Sequence, residues 1–250
     1  MAVSNPTNCE GNGRCRQGGL FQAMENTQYD IYLEIGQKKL FAAAVEWPGW
    51  CRSGRDEASA MQALLEAGPR YARLLHGTNL AFTASLSTEN FRIIERVEGN
   101  ATTDFGAPDK LIARDSQPFG PGELERAQTL LQAYWQAFDA VVETAVGKEL
   151  RKGPRGGGRD LMGIVAHVMG ADASYLRTLG WKFVEVKGEN IKQSLTRLRK
   201  EILNGLDAAA VDLLPDKGPR GGKRWPPHYF IRRSAWHVID HTWEIEDRIV

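Results

Sequence analysis

From Glu123 to the end of the chain, apolar residues recur every three or four positions in four separate runs, and this periodicity constrains the fold more than any other feature. Leu124, Ala127, Leu131, Trp135, Phe138 and Val142 form the first run; Leu161, Val165, Val168, Tyr175 and Leu179 form the second. The third is Ile191, Leu195, Leu198, Ile202 and Leu206, and the last is Ile231, Trp236, Ile239, Trp243 and Ile249. Each run marks one core-facing stripe on a helix. Four helices of about twenty residues, joined by Gly/Pro-rich breaks, predict an all-α up-down four-helix bundle over 122–250.

Ahead of the bundle the period changes to two. Tyr29, Ile31, Leu33 and Ile35 alternate with Asp30, Tyr32 and Glu34, the pattern of a half-buried strand. Leu40 to Glu46 reads as its hairpin partner, stopped by Trp47-Pro48-Gly49-Trp50. A helical pattern starts at Asp56 and meets a break or bend at Gly68-Pro69, and Leu80–Ser85 and Phe91–Val97 look like further strands. The fold class expected is therefore a small α+β domain over 29–99 followed by the bundle. Between them, 100–121 is a linker, or a strap packed on its neighbours. Residues 1–28 form a Gly/Asn-rich leader expected to be disordered, and Met24 is the expected physiological start.

Composition narrows the function classes. Lys plus Arg number 32 against 31 for Asp plus Glu, so no chain-wide charge argues for nucleic acid. No stretch of eighteen apolar residues exists to cross a membrane, and no secretory block stands near the start. Cys9, Cys15 and Cys51 form no zinc-binding spacing and suit free thiols in a reducing cytoplasm.

Two histidines, His237 and His241, stand one turn apart on the last helix and share a face, and Glu244 extends that face. His167 lies midway along the second helix. If helices two and four run in the same direction across the bundle, it faces the pair and completes a three-His site. Neutral imidazoles in that arrangement suit a divalent metal such as Zn, Ni or Fe and leave coordination positions open. A hydrogen-bonded histidine pair is the competing reading. Glu244 is either a fourth ligand or a proton acceptor. Asp172 shares the acceptor role, and with Asp240 it is a candidate partner for an imidazole N–H. A surface aspartate on a rotated helix is the alternative at Asp172.

The sequence also repeats itself. Lys152-Gly-Pro-Arg155-Gly-Gly, followed by Arg159, precedes helix two, and Lys217-Gly-Pro-Arg220-Gly-Gly, followed by Lys223, precedes helix four. With those helices parallel, both loops lie at one end of the bundle. Arg155, Arg159, Arg220 and Lys223 are then candidates to hold the anionic groups of a cofactor or substrate at helix N-termini. Solvated turns are the alternative.

His167 in LMGIVAHVMGADASYLRTLGW, with His237 and His241 in RRSAWHVIDHTWEIEDR, resembles the DinB-like (YfiT-like) four-helix-bundle superfamily over roughly 122–250. That resemblance implies a divalent metal on the three histidines. It also implies chemistry in which a low-molecular-weight thiol is transferred to, or assists reaction of, a small electrophilic molecule. Hydrolysis by a metal-bound water fits the same site. Earlier in the chain, WPGWCRSGRDEASAMQALLEA after a hairpin is similar to the HicB-like antitoxin domain, which implies a fold more than an activity. The expected protein is a cytoplasmic metal-dependent transferase or hydrolase acting on a small-molecule substrate, with a homodimer compatible with its aromatic-rich helices. The alternative is a non-catalytic regulatory protein that contacts a partner through the HicB-like domain.

Overall fold

The computed structural model describes residues 27–152, 158–218 and 221–250. Residues 1–26 of the expected leader, with the start at Met24, lie outside the described residues, as do Arg155 and Arg220. The architecture is broadly α+β: an N-terminal sheet with a helix, then a helical C-terminal part.

Strand β1 (Tyr29–Ile35) pairs antiparallel with β2 (Leu40–Ala44), which pairs antiparallel with β3 (Cys51–Gly54). Helix α1 (Glu57–Leu74) then carries the chain back to β4 (Phe91–Glu98), parallel to β1, giving the order β3-β2-β1-β4. Asp56 caps α1 by accepting from the Ser59 backbone N–H. Three details differ from the sequence reading. The β3 strand occupies the stretch between the Trp47–Trp50 stop and the helix at Asp56, to which the sequence reading assigned no strand. Pro69 sits inside a continuous α1, because residues on both sides of it, Leu64 and Tyr71, are buried in one core. The Trp50 indole N–H donates to the Leu64 carbonyl at 2.8 Å, in the stretch of helix the proline disturbs. Residues 80–85 form no strand. Phe82 instead drives its ring into a cluster with Tyr29, Trp47, Trp50 and Tyr71, so the alternation there records one-sided packing without a ladder.

The sheet is covered on both faces. Ile31, Leu33, Ala42 and Ala44 join Trp50 and Leu64 in the main core. Tyr32, Phe41, Ala43 and Cys51 pack with Trp236 and Ile112. The face expected to be polar is thus buried too, and Glu34 is 0% exposed. Its carboxylate accepts from Thr103 Oγ1 (2.5 Å) and from the backbone N–H groups of Asp109 (2.9 Å) and Lys110 (3.1 Å). Those donors belong to 100–121, which contains a short helix α2 (Ala101–Phe105) and a 3-10 turn (Ala113–Ser116). A buried carboxylate with several donors is satisfied, and here it straps the segment to the sheet.

Four long helices follow: α3 (Pro121–Ala145), α4 (Leu161–Leu179), α5 (Ile191–Ala210) and α6 (Pro227–Arg248). Most of the apolar positions named above are buried. Their directions correct the expected alternation. Phe119, just before α3, packs on His228 at the start of α6, and Leu150 bridges to Ile249 beyond their far ends, so α3 and α6 are parallel. Gln128 bonds Asp207 (2.7 Å) and Asp139 bonds Arg199 (2.6 Å), so α5 opposes α3. Trp225 N–H donates to the Thr178 carbonyl (2.9 Å) while Arg248 donates to the Arg159 carbonyl (2.9 Å), so α4 opposes α6. The order is up-down-down-up. Its cause is residues 180–190, which do not turn sharply but run back along α5: Trp181 bonds Glu201, the Val184 carbonyl accepts from Arg197, and Glu189 accepts from Ser194. About eleven extended residues reach some 36 Å, enough to return the length of α4.

Helix α6 is buried nearly all round because it packs on α3 and α4 with one side and on the sheet with the other. Arg232, on the sheet side, donates Nε to Asp115 Oδ1 (2.9 Å) and Nη1 to the Tyr32 hydroxyl (2.6 Å). Asp115 is 1% exposed, so this is a buried, hydrogen-bonded ion pair tying the 100–121 strap to α6.

Candidate metal centre

His167 from α4 and His237 and His241 from α6 come together, with one ligating atom from each lying within 4.8 Å of the others. The sequence reading relied on parallel helices for this meeting, and the helices are antiparallel. The cluster forms because His167 lies in the N-terminal half of α4, His237 at the middle of α6 and His241 in its C-terminal half, positions that an antiparallel crossing brings level. Ring centroids are 5.0 Å apart for His167–His237, 4.9 Å for His167–His241 and 4.6 Å for His237–His241.

The residues fit a divalent ion. His167 Nε2 and His237 Nε2 are 3.2 Å apart. With metal–nitrogen bonds of about 2.0–2.1 Å, that separation corresponds to an angle of about 100° at the ion, between octahedral and tetrahedral values. A hydrogen bond between two imidazoles accounts for one such contact but not for a third ring closing on the same point. His241 Nδ1 is taken by Glu244 Oε2 at 2.6 Å, which leaves Nε2 as its ligating atom. Burial, with the neighbouring His241 and His167 rings, pushes His237 down to about 2, and burial with Arg159 lowers His167. Both rings are therefore neutral near pH 7, the form that binds metal.

Glu244 thus stands behind His241 instead of beside the three ligating nitrogens. Its second oxygen accepts from Arg248, whose Nε and Nη2 donate to the carbonyls of Arg151 (2.8 Å) and Arg159 (2.9 Å). Sequence reasoning missed Arg248, although its i+4 spacing from Glu244 was available as a signal. Tyr175 packs edge-on against His237 with centroids 5.7 Å apart, and Trp225 lies 5.2 Å from Tyr175, so an aromatic wall borders one side of the cluster.

The other sequence candidates lie elsewhere. Asp172 is five residues past His167, about 140° round the helix. It is 1% exposed, points into the core, and makes no hydrogen bond to the three histidines among the described residues. Burial pushes its carboxyl up to about 7, against an opposing effect from Arg199. Asp240 is half-exposed and lies 3.8 Å from Arg52. Arg159 and Lys223 are both exposed but sit at opposite ends of α4, which is about 28 Å long. Arg159 and Lys223 therefore do not share one end, since antiparallel α4 and α6 send their N-termini in opposite directions. Arg155 and Arg220 are outside the described residues. His228, left out of the site by sequence, is held instead by Arg114 (3.1 Å) and the Pro118 carbonyl (3.2 Å).

Compared with family models, curated proteins and solved structures, the chain gives no match. No helix among the described residues is long and apolar enough to cross a membrane.

Proposed function

We propose that the protein is a divalent-metal-dependent enzyme of the DinB-like kind, using a low-molecular-weight thiol or water against a small electrophile. The observation that carries this reading is the convergence of three imidazoles from two helices, one of them backed by a carboxylate. A divalent ion bound there lowers the pKa of a coordinated thiol or water, supplying a nucleophile near neutral pH. The chain's own part is to hold the ligands. His167, His237 and His241 offer three nitrogens, Glu244 fixes the ring of His241, and Tyr175 excludes water on one side of His237. Glu244 is also the carboxylate in hydrogen-bond contact with one of the three rings, where it accepts the Nδ1–H of His241 and so keeps Nε2 free of a proton for the ion. Asp172 has no such contact and is left out of this reading.

A second reading is a regulatory protein whose metal is structural. It is favoured by β4, an eight-residue edge strand with no neighbour on its outer side among the described residues.

Metal analysis of the purified protein tests the first step, with about one ion per chain expected and loss of it in His237→Ala and His167→Ala. Absence of metal in the parent protein overturns both readings. The metal-loaded protein is then assayed against small electrophiles with and without added thiol. Turnover that disappears in His237→Ala supports the enzyme, thiol dependence separates transfer from hydrolysis, and bound metal with no turnover favours the regulatory reading.

A further inference from the structure

Glu244 follows His241 by three positions on the same face of α6, is 31% exposed in its side chain, and has the chemistry of a metal ligand. Nothing in the spacing keeps it from turning onto an ion held by the three histidines. What restrains it is that both its oxygens are occupied, Oε2 by His241 Nδ1 at 2.6 Å and Oε1 by Arg248 Nη1. Arg248 in turn cannot follow Glu244. Its Nε is held by the Arg151 carbonyl and its Nη2 by the Arg159 carbonyl, at the ends of two different segments. A planar guanidinium fixed at three nitrogens is a rigid anchor. We propose that Arg248 keeps the metal centre open: it pins Glu244 behind His241, so that the carboxylate does not close the coordination sphere as a fourth protein ligand. Arg248 is a positioning residue in this scheme. The inference rests on the three-His reading above and adds a reason why that site has room for a thiol or water.

The test uses the full chain loaded with Co(II), whose visible absorption reports coordination, and 2-mercaptoethanol as the probe, followed by its thiolate-to-Co(II) band. In Arg248→Gln the carboxylate is released to bind. The visible spectrum should change, and affinity for 2-mercaptoethanol should fall about tenfold or more, the range outer-sphere changes reach. The double variant Glu244→Gln/Arg248→Gln removes the competing carboxylate, while the Gln amide oxygen can still accept from His241 Nδ1–H, and should recover part of the thiol affinity lost in Arg248→Gln. Arg248→Lys, which keeps the charge, should lie between. Thermal melting of the metal-free proteins separates a structural effect. A lowered Tm with unchanged Co(II) spectrum and thiol affinity overturns the proposal, as does a double variant as weak as Arg248→Gln. If Arg248→Gln does not fold, Arg248→Lys alone decides by the same two readouts. Failure of the parent protein to bind Co(II) instead removes the metal reading itself, a distinct outcome.

Discussion

A carboxyl placed in an apolar stripe has to be paid for somewhere, and Asp172 shows where. It is buried among α4 and α5 with Oδ1 lacking a hydrogen-bond partner; Arg199 is the charged group facing it from α5, and Tyr175 lies near it on α4. In the unfolded chain its pKa is about 3.9, whereas in the fold it is about 7. Below pH 4 both states hold the proton and the residue is silent. Between pH 4 and 7 only the folded state holds it, so stability falls as pH rises, and the loss is complete above 7. Asp172→Asn removes this dependence. Relative to the parent, its Tm should gain about 9 °C on going from pH 4.5 to 8, about 3 kcal/mol on this size of chain; parallel melting curves at both pH values would contradict the burial argument. Another residue-scale constraint is Gly49. It has φ of +92°, and a Cβ there would lie 2.3 Å from Ile239 Cδ1. Gly49→Ala should cost about 2 kcal/mol or more, through both the left-handed backbone and the clash with α6, measured by urea unfolding.

At the scale of elements, α6 is the member on which the others converge. Its stripe toward α4 carries His237 and His241, while its sheet side carries Trp236, which meets Phe41 edge-on at 6.4 Å, and Arg232. The Asp115–Arg232 pair fixes the strap to that side. Asp115→Ala leaves a guanidinium in the interior without its carboxylate, and a loss of about 3–5 kcal/mol is expected. Replacing both partners together, Asp115→Leu with Arg232→Met, should cost less than Asp115→Ala alone, which a thermodynamic cycle from chemical denaturation would read. Equal costs would show that the pair is solvated. The clamp of Arg248 on Arg151 and Arg159 does the equivalent task at the other end of α6, beside the histidines.

For the molecule as a whole, the main apolar cluster runs without interruption from Tyr29 and Leu33 in the sheet through Tyr71 and Tyr134 to Ile245. The hydroxyls of Tyr71 and Tyr134 meet at 2.5 Å and each donates to or shares the Pro48 carbonyl, so α1, α3 and the turn after β2 interlock. A continuous core of this kind predicts one cooperative unfolding transition by calorimetry, with near-UV and far-UV signals coincident. Two separated transitions would mean that the sheet and helical parts melt independently. An ion held by the three histidines, as proposed, would add to that stability by linkage. Addition of EDTA to the metal-loaded protein should lower Tm by several degrees, an effect absent in His237→Ala.

The sequence alone determined the helices, the hairpin, β4 and the identities of the three histidines, because local periodicity reports which side of an element is apolar and HxxxH spacing is an intrinsic property of one helix. It did not determine direction. Residues 180–190 look like any loop in composition, and only their bonds to Glu201, Arg197 and Ser194 reveal that the chain doubles back, turning an alternating order into up-down-down-up. That decision placed Arg159 and Lys223 at opposite ends of α4 and set which parts of α4 and α6 meet at the histidines, whereas the burial of Asp172 was already legible in its place on the apolar stripe of α4. Pairings such as Glu34 with Asp109, or Asp115 with Arg232 across 117 positions, have no local signature at all. Elements follow from short-range sterics and hydrophobic period, whereas their mutual arrangement is settled by which of several apolar faces bury best together, a sum no single segment contains.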